Sequence, residues 1–407
     1  MKHVIIGAGV AGVEAAKTIR GLDKDAGILM ISADTQIHSR CMLHKFIAGE
    51  RDEKGLDFTE EGFFEKYRIE WKNGVKVVRV CPEEKQIELE TGEYVGYDKL
   101  LLANGADSCI PPVGELRKAS NVYGLRNLCD AQAIVKEAEN AEDVLIIGSG
   151  LVGLDAAYGL LERGKKITIV EMAPQILPVQ LDAHGAKSYQ ELFEKAGVRF
   201  VLGRKACEAQ CAPDGKIHEV ILDDGEKLAC DMIIAAAGVR ASVGYLEGSG
   251  ILCNRGVTTD AYLKTNQEDI YAAGDITGLS GIWPNAADQG RVAGKNMCGV
   301  LTEYTDRFAI KNTINFFGLL SLCVGRICQE EGDEIVVCED QRQYKRAVLK
   351  DGRVEGILLQ GDISHAGTWQ YLIKNRIDIR DIQKNIFQIN FADFYRVGER
   401  GKYEWAV

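Results

Sequence analysis

The sequence predicts an α/β fold in which one unit of strand, glycine-rich turn, helix and strand occurs twice, followed by an α+β region. Two observations support this prediction. The segments HVIIGAGVAGVEAAKTI and DVLIIGSGLVGLDAAYGLLERG share the same order of apolar strand, spaced glycines and helical pattern. From about residue 307 the pattern changes to short strands and one helix-like stretch, SHAGTWQYLIKNRID.

The composition excludes several classes of protein. The 407 residues include 60 acidic and 49 basic side chains, and the net charge of −11 argues against a protein that binds nucleic acid. The segment MKHVIIGAGVAG lacks the basic region of a secretory signal, and the run FFGLLSLCVG is too short to cross a bilayer. We therefore expect a cytoplasmic protein, whose twelve irregularly spaced cysteines are reduced thiols.

The first unit has the spacing of a dinucleotide-binding turn. Gly7 permits a tight turn after the strand, Gly9 lets the backbone approach a pyrophosphate, and Gly12 lets the helix pack on the strand. The amino terminus of the helix then points at the phosphates. A second strand, GILMISAD, ends at Asp34, which is placed to accept a hydrogen bond from a ribose hydroxyl.

The second unit repeats every part of the first. Gly148, Gly150 and Gly153 follow the strand DVLIIG, and the strand KITIVE ends at Glu171. The repetition favours dinucleotide binding over two unrelated glycine-rich turns. Glu171 would repel a 2′-phosphate and no arginine follows it directly, so NADH is favoured over NADPH.

Three further apolar strands end on glycine. They are YDKLLLANGA, DMIIAAAGVRAS and DIYAAGDITG, which end near Gly105, Gly238 and Gly274. With these the chain resembles the pyridine nucleotide-disulfide oxidoreductase superfamily over essentially its whole length. The resemblance implies two Rossmann-like domains, with an FAD-binding domain at 1–110 and 235–306, an inserted NAD(H)-binding domain at 111–234 and a carboxyl-terminal α+β domain at 307–407.

The resemblance also implies cofactor contacts. Asp275 of the GD motif would hold the ribityl and phosphate region of FAD. The helix that begins in WPNAADQGRVAG, around Ala286, would point at the flavin pyrimidine edge, where its dipole stabilises negative charge. Val77 and Arg40 complete the expected FAD contacts. In LLLANGA the chain departs from the family, because Asn104 stands at the usual threonine position.

The segment SRCMLHKFIAGE resembles two branches of the family. Ser39, Arg40, Leu43 and Lys45 match the SRPxLSK pattern of NADH-rubredoxin reductases, related ferredoxin reductases and the flavin portion of nitrite reductases. This resemblance places Lys45 near the reactive flavin nitrogen, paired with Asp155. A cation there would stabilise negative charge as hydride arrives. The alternative is a surface lysine and an aspartate inside a helix.

Cys41 supports the other branch, which includes NADH peroxidase, NADH oxidase and coenzyme A-disulfide reductase. Their single redox cysteine stands eight residues before a glycine, as Cys41 does before Gly49. Arg40 and Lys45 would supply the positive field that keeps such a thiol ionised. Two partners of that branch are missing, because Val10 and Leu151 replace a histidine and a tyrosine. Cys41 is therefore either a redox thiol or a small residue at a proline position.

Other cysteines predict no further site. The only CxxxxC is formed by Cys323 and Cys328 in a stretch that reads as strand, where side chains five apart face opposite sides. Cys207 and Cys211 lack a second pair at metal-ligand spacing, so no metal site is expected.

The carboxyl-terminal block KDGRVEGILLQGDISHAGTWQYLIKNR resembles the rubredoxin and nitrite reductase branch. It lies among basic residues that either form a docking face for an acidic electron carrier or are simply solvated, namely Arg342, Lys345, Arg346, Lys350, Lys374, Arg376 and Arg380. The aromatic tail that follows resembles flavoprotein subunits of multisubunit oxidoreductases, such as 2-oxoacid dehydrogenases with iron-sulfur partners. It leaves open a homodimer or a hetero-oligomer.

Together these features predict an enzyme that uses FAD to exchange a hydride with NAD(H) and electrons with an acidic carrier protein or a partner subunit. The first alternative is a Cys41-dependent oxidase, peroxidase or disulfide reductase. The second is a redox sensor or scaffold that binds the nucleotides without turnover.

Overall fold

A computed structural model describes residues 1–306, 311–397 and 403–405. The predicted boundary at 306/307 and part of the aromatic tail therefore fall at or beyond the edge of the described residues. Within the described ranges the helices are α1 (Val10–Leu22), α2 (Leu43–Ile47), α3 (Phe63–Lys66), α4 (Leu128–Glu137), α5 (Leu151–Leu161), α6 (Ala183–Lys195), α7 (Trp283–Met297) and α8 (Ala366–Lys374).

The strands of the same ranges fall into two parallel sheets and several antiparallel ones. In chain order they are β1 (Lys2–Ile6), β2 (Gly27–Ser32), β3 (Ile69–Asn73), β4 (Val77–Cys81), β5 (Gln86–Leu89), β6 (Tyr94–Gly96), β7 (Lys99–Leu102), β8 (Ala106–Ser108), β9 (Val122–Tyr123), β10 (Asp143–Ile147), β11 (Lys166–Glu171), β12 (Arg199–Leu202), β13 (Ala206–Ala209), β14 (Glu219–Leu222), β15 (Lys227–Ala229), β16 (Met232–Ala235), β17 (Val239–Ala241), β18 (Ile270–Ala272), β19 (Lys311–Phe316), β20 (Leu319–Gly325), β21 (Glu334–Glu339), β22 (Tyr344–Lys350), β23 (Arg353–Gln360), β24 (Tyr395–Val397) and β25 (Tyr403–Trp405).

The chain forms two compact units. The first unit contains Met1–Met172 and Gly197–Arg307, and the second contains Ala173–Ala196 and Phe308–Val407. Residues 173–196, which the sequence assigns to the NAD(H)-binding domain, thus belong to the second unit. The finer division of the first unit into FAD-binding and NAD(H)-binding domains stays a prediction.

The first unit holds a parallel five-stranded sheet in the order β18-β7-β1-β2-β3. Its strands are buried on both faces, and alternate residues of β1 enter different cores. Ile5 packs with apolar residues of α1 and α7. Val4 and Ile6 pack on the other face, against the antiparallel ribbon β4-β5-β6.

A second parallel sheet in this unit has the order β12-β11-β10-β16-β9. It repeats the plan of the first, because α5 follows β10 directly and an antiparallel ribbon, β13-β14-β15, contributes to the same core as residues of β10 and β11. The antiparallel pair β8-β17 lies between the two sheets in the chain. The predicted α/β fold with two Rossmann-like sheets is confirmed.

The second unit contains an antiparallel sheet in the order β19-β20-β23-β22-β21. Trp369 and Leu372 of α8 pack into its core. Helix α6 is anchored by Tyr189, whose hydroxyl lies 2.9 Å from Ser321 Oγ and donates to the Leu319 carbonyl oxygen at 2.8 Å. Of the predicted CxxxxC pair, Cys323 is buried in β20, whereas Cys328 is exposed beyond its end. The predicted carboxyl-terminal α+β region is confirmed.

None of the helices in the described ranges is long and apolar enough to span a membrane.

Candidate functional site

The outer glycines of both series are required by close backbone packing. A Cβ atom on Gly7, where φ is +109°, would lie 2.3 Å from the Ala103 carbonyl oxygen, and one on Gly12 would lie 2.1 Å from the Gly7 carbonyl oxygen. The second series has the same geometry, with corresponding distances of 2.5 Å at Gly148 and 2.0 Å at Gly153. No side chain fits at any of these positions, so each helix begins in close backbone contact with the turn and strand before it.

The middle glycines face open space. Gly9 and Gly150 are the amino-terminal caps of α1 and α5, and neither helix start receives a side-chain cap. A Cβ on Gly150 would meet no atom within 4 Å, and one on Gly9 would meet only Arg40 Nη1, at 3.6 Å. Uncapped amide groups beside such a space suit an anionic group such as a pyrophosphate.

A cavity opens above Gly9, and two arginines converge on it. Arg40 and Arg126 both line the cavity and both lie close to Gly105, where φ is +79°. Arg40 Nη2 lies 3.6 Å from the Asp34 carboxylate, and Arg126 forms an ion pair with Asp275. Burial and then the neighbouring Arg126 guanidinium lower the pKa of Arg40. Two cations held this close suit a doubly charged diphosphate.

Helix α4 supplies contacts that sequence reasoning missed. Asn127, its cap, accepts a hydrogen bond from Arg40 Nε at 3.2 Å, and His38 Nε2 accepts one from the Leu128 amide at 3.3 Å. Arg126 and His38 both line the cavity. The only available sequence signal was the basic residue directly before the Asn127–Asp130 capping box.

Helix α7 closes another side of the cavity. Its first residue, Trp283, lines the cavity and packs edge-on against Phe58, with ring centroids 4.6 Å apart. Ala286, one turn further on, also lines the cavity. Gly274 has φ +82°, and its amide donates to Gln289 Oε1 at 2.8 Å. The helix start predicted in WPNAADQGRVAG, around Ala286, is therefore present in the structure.

Two predicted cofactor residues, Val77 and Gly238, lie outside the described cavity lining, and Asn104, the departure from the family, has a structural role. Val77 begins β4 and packs against the core beneath the sheet, and the described cavity lining does not include it. Gly238 has φ +94° just before β17 and faces open space. Asn104 links two segments, because its Nδ2 donates to the Ser242 carbonyl oxygen at 2.9 Å and its Oδ1 accepts from the Tyr245 hydroxyl at 2.8 Å.

Glu171 lies at the second glycine series. Its carboxylate accepts hydrogen bonds from the Ser149 amide at 2.8 Å and the Ser149 hydroxyl at 2.9 Å. The next arginine in the chain, Arg199, pairs with Glu226 at 2.5 Å. Arg204, whose amide donates to the Glu171 carbonyl oxygen at 3.0 Å, is held by Asp224, 2.9 Å from its Nε. An acid at this position without a free arginine is the arrangement expected for NAD(H) rather than NADP(H).

The predicted ion pair between Lys45 and Asp155 does not form. Lys45 Nζ binds Glu50 Oε2 at 2.7 Å and lies 5.4 Å from the centre of the Tyr158 ring. Glu50 is nearer because it follows α2 directly, on the turn that ends the same helix. Lys45 still influences Asp155 through space, because its charge opposes the rise in the pKa of that carboxyl group.

Asp155 instead lies beside His44. Nδ1 of His44 is 3.5 Å from Oδ1 of Asp155, and the two side chains are 14% and 28% exposed. Burial raises the pKa of Asp155 to about 8 and, with the charge of Lys45, lowers the pKa of His44 to about 4. Near neutral pH the imidazole is therefore uncharged and the carboxyl group is the one that titrates.

Cys41 lines the same cavity, but its surroundings differ from the predicted positive field. Burial and then the Asp155 carboxylate raise the pKa of the Cys41 thiol, and they outweigh the opposing charges of Arg126 and Arg40. These surroundings favour the thiol over the thiolate, and the thiolate is the reactive form.

The basic residues of the second unit are largely neutralised by their own neighbours. Lys345 binds Asp362 at 2.7 Å, and Arg376 lies 3.3 Å from Glu355. Arg346 and Arg380 also pair with aspartates, at positions 182 and 378. These contacts weaken the expectation of a free basic face. No cluster of metal-ligating side chains occurs within the residues that the structure describes.

Comparison with known proteins gives two family matches. Residues 1–290 match the pyridine nucleotide-disulphide oxidoreductase model, and residues 311–377 match the rubredoxin NAD+ reductase carboxyl-terminal domain. The epsilon subunit of an NADH-dependent phenylglyoxylate dehydrogenase from Aromatoleum evansii is 29% identical, and the match covers 94% of this chain and 93% of the relative.

Two further matches agree with these. A rubredoxin-NAD(+) reductase from Alcanivorax borkumensis is 31% identical, over 74% of this chain and 79% of the relative. The putidaredoxin reductase-putidaredoxin complex gives a solved structure with TM-score 0.82 and 25% identity, covering 93% of this chain and 94% of that one. Both agree with the architecture described above, in which two glycine-rich turns of the same geometry lie in one unit. The chain therefore belongs to the pyridine nucleotide-disulphide oxidoreductase family, whose members bind FAD and NAD(H).

Proposed function

We propose that this protein is an FAD-dependent oxidoreductase that exchanges a hydride with NAD(H) and single electrons with a separate protein. The observation that carries the proposal is the pair of open cradles at Gly9 and Gly150 in one compact unit. One cradle lies beside two converging arginines and the other beside Glu171. Two different nucleotides can therefore bind to one unit, as hydride transfer between them requires.

The residues around Gly9 would hold FAD. Arg40, Arg126 and the amide groups at the start of α1 suit its diphosphate, and Asp34 suits a ribose hydroxyl. Asp275 would hold Arg126 toward the diphosphate and accept a hydrogen bond from a ribityl hydroxyl. Bound FAD would supply the chemistry, because it accepts two electrons together and returns them one at a time.

The residues around Gly150 would hold NADH. The start of α5 suits the pyrophosphate, and Glu171, already bonded to Ser149, would accept from the adenosine ribose. Lys45, once released from Glu50, would place its positive charge near the reactive flavin nitrogen, where negative charge develops as hydride arrives.

The electron acceptor is proposed to be a rubredoxin or ferredoxin. The match of residues 311–377 to a rubredoxin reductase domain supports this, as does the relative from Alcanivorax borkumensis. A second candidate is an iron-sulfur subunit of a larger complex. It is favoured by the phenylglyoxylate dehydrogenase subunit, because that match extends over 94% of the chain.

The Cys41-dependent alternative has less support, because the pKa of the thiol is raised rather than lowered. An anaerobic titration with NADH tests it. We expect the FAD of the holoenzyme to take up two electrons, with the same value for Cys41→Ser and for the control Cys129→Ser, at a cysteine outside the described cavity lining. Four electrons, falling to two only in Cys41→Ser, would make Cys41 a second redox centre.

Turnover tests the proposal itself. The holoenzyme, NADH and a purified rubredoxin or [2Fe–2S] ferredoxin are mixed without oxygen, and carrier reduction is followed by absorbance. We expect two carriers to be reduced for each NADH consumed. Tight binding of both nucleotides without reduction of any carrier or dye would instead indicate a sensor or scaffold.

A further inference from the structure

Helices α2 and α5 touch through their backbones at one point. A Cβ on Gly159 would lie 2.8 Å from the His44 carbonyl oxygen, and the Arg163 side chain donates to the Ile47 carbonyl oxygen. Gly159 and Asp155 are four residues apart and therefore lie on the same face of α5. The close approach at Gly159 brings His44 over Asp155 one turn earlier.

The His44 ring is enclosed, and one of its nitrogens is left without a normal hydrogen bond. Nδ1 is buried and makes no hydrogen bond of normal geometry to any described residue, yet it lies 3.5 Å from Asp155 Oδ1. The Tyr158 ring stands edge-on to the imidazole, with centroids 6.5 Å apart. A neutral imidazole with its proton on Nδ1 would need to move only about 0.5 Å to donate to the carboxylate.

Few charged or titratable groups surround the pair, and the Cys41 thiol, on which the Asp155 charge acts, is one of them. The charges of Lys45, Glu50 and Arg51 act on His44, and the charge of Lys45 acts on Asp155. On α5 itself Arg163 is committed to the Ile47 carbonyl oxygen. The backbone carbonyl of Cys41 is the competing acceptor for the His44 ring, since it also acts on that ring.

We propose that His44 is a positioning residue for Asp155, holding its carboxylate through an Nδ1–H hydrogen bond while Lys45 is bound by Glu50. The proposal rests on the proposed function, because it concerns the Lys45 and Asp155 pair expected beside the flavin. Donation from a neutral imidazole favours the ionised carboxylate. Removing the donor therefore raises the pH at which Asp155 ionises.

The contact itself is tested by NMR of the oxidised holoenzyme with ¹⁵N-labelled imidazoles. The chain has six histidines, so the His44 signal can be assigned with His44→Asn. Burial, opposed by the charge of Lys45 but without a His44 hydrogen bond, raises the pKa of Asp155 to about 8. With that hydrogen bond we expect the His44 signal to shift with a midpoint below pH 8, reporting Asp155 rather than His44, and to lose that midpoint in Asp155→Asn. A His44 signal that is flat from pH 6 to 9, or unchanged in Asp155→Asn, would overturn the proposal.

The exposed pair His218 and Asp214, whose atoms are 2.8 Å apart, provides a matched control. His218→Asn should leave the His44 midpoint unchanged. Because this readout needs no NADH and no electron carrier, it decides on the pair even if the proposed function fails.

The consequence for the reaction is tested by stopped-flow reduction of the flavin by NADH as a function of pH. His44→Phe keeps a ring at this position but removes the donor. We expect the midpoint of its profile of flavin reduction rate against pH to rise by about one pH unit. His44→Asn keeps an N–H donor near the position of Nδ1 and should restore the wild-type midpoint. Equal pH profiles for the wild type and both variants would show that His44 is only structural.

Discussion

Glycines at neighbouring positions of one turn have different physical roles in this protein. Gly7 and Gly12 are needed for packing, because a side chain at either would overlap backbone atoms. Gly9 lies between them and faces the cavity. A substitution at Gly12 therefore changes the stability of the fold first, whereas a substitution at Gly9 changes the binding of a ligand in the cavity.

Gly12→Ala should destabilise the first unit by roughly 2 kcal/mol or more, because the added methyl would lie 2.1 Å from the Gly7 carbonyl oxygen. Gly21→Ala in the same helix is the control. It meets no atom within 4 Å and should be neutral or slightly stabilising. Thermal unfolding and FAD content after gel filtration measure both effects. Equal melting temperatures and full FAD content in Gly12→Ala would contradict the packing argument.

Single residues also show which parts of the fold and the site can be predicted from the sequence. Both glycine series and their strands could be predicted, because strand, turn and helix are local patterns. The ion pair of Arg126 with Asp275 could not, since it joins residues 149 positions apart. The pairing of Lys45 with Asp155 was implied by the family resemblance, and in the structure Lys45 pairs with Glu50 instead. Only the folded helices decide which acid lies within its reach.

At the scale of elements, α6 differs most from the predicted domain division, which assigns it to the NAD(H)-binding domain, because it lies in the second unit. The chain leaves β11 after Glu171 and enters a segment that packs within the second unit. Asp182 caps α6 by accepting from the Gly185 amide at 3.0 Å. It also accepts from the Tyr344 hydroxyl at 2.5 Å. The pattern of α6 is amphipathic, and such a pattern does not indicate which apolar surface covers the helix.

Asp182→Ala should cost about 2 to 3 kcal/mol, because the helix loses its cap and Tyr344 loses its acceptor. Glu191→Ala on the exposed face of α6 is the control. Its contact with Lys187, at 3.7 Å, is an exposed pair and should be worth less than about 0.5 kcal/mol. Urea unfolding followed by fluorescence compares the two. Similar midpoints would show that Asp182 does not anchor α6.

At the scale of the whole molecule, a buried histidine makes the protein sensitive to acid. His3 on β1 is 1% exposed, and burial followed by the amino-terminal charge lowers its pKa to about 4. A lowered folded pKa means that the unfolded chain binds more protons below pH 6.5. Stability is therefore complete above about pH 6.5 and is lost as the pH falls toward 4, by up to about 3 kcal/mol.

His3→Val should reduce this loss, because valine suits a buried strand and does not titrate, while His44 still contributes. The free energy of unfolding at pH 7, 6, 5 and 4 measures the effect. His218→Gln, at an exposed position, should keep the wild-type slope. An unchanged slope in His3→Val would assign the acid sensitivity to other groups.

The order of strands in the first sheet has a consequence for synthesis on the ribosome. β1 pairs with β7, and β7 pairs with β18, so the sheet gains its last strand only after residue 272 has been made. Gly290 and Gly294 of α7 must then close on Ala11 and Ala15 of α1. The second sheet needs nothing beyond β16, so it can be complete while the first sheet still waits for its edge. The nascent chain therefore holds an unfinished apolar sheet while the residues between β7 and β18 are made, and exposed apolar surface of this kind is what chaperones bind.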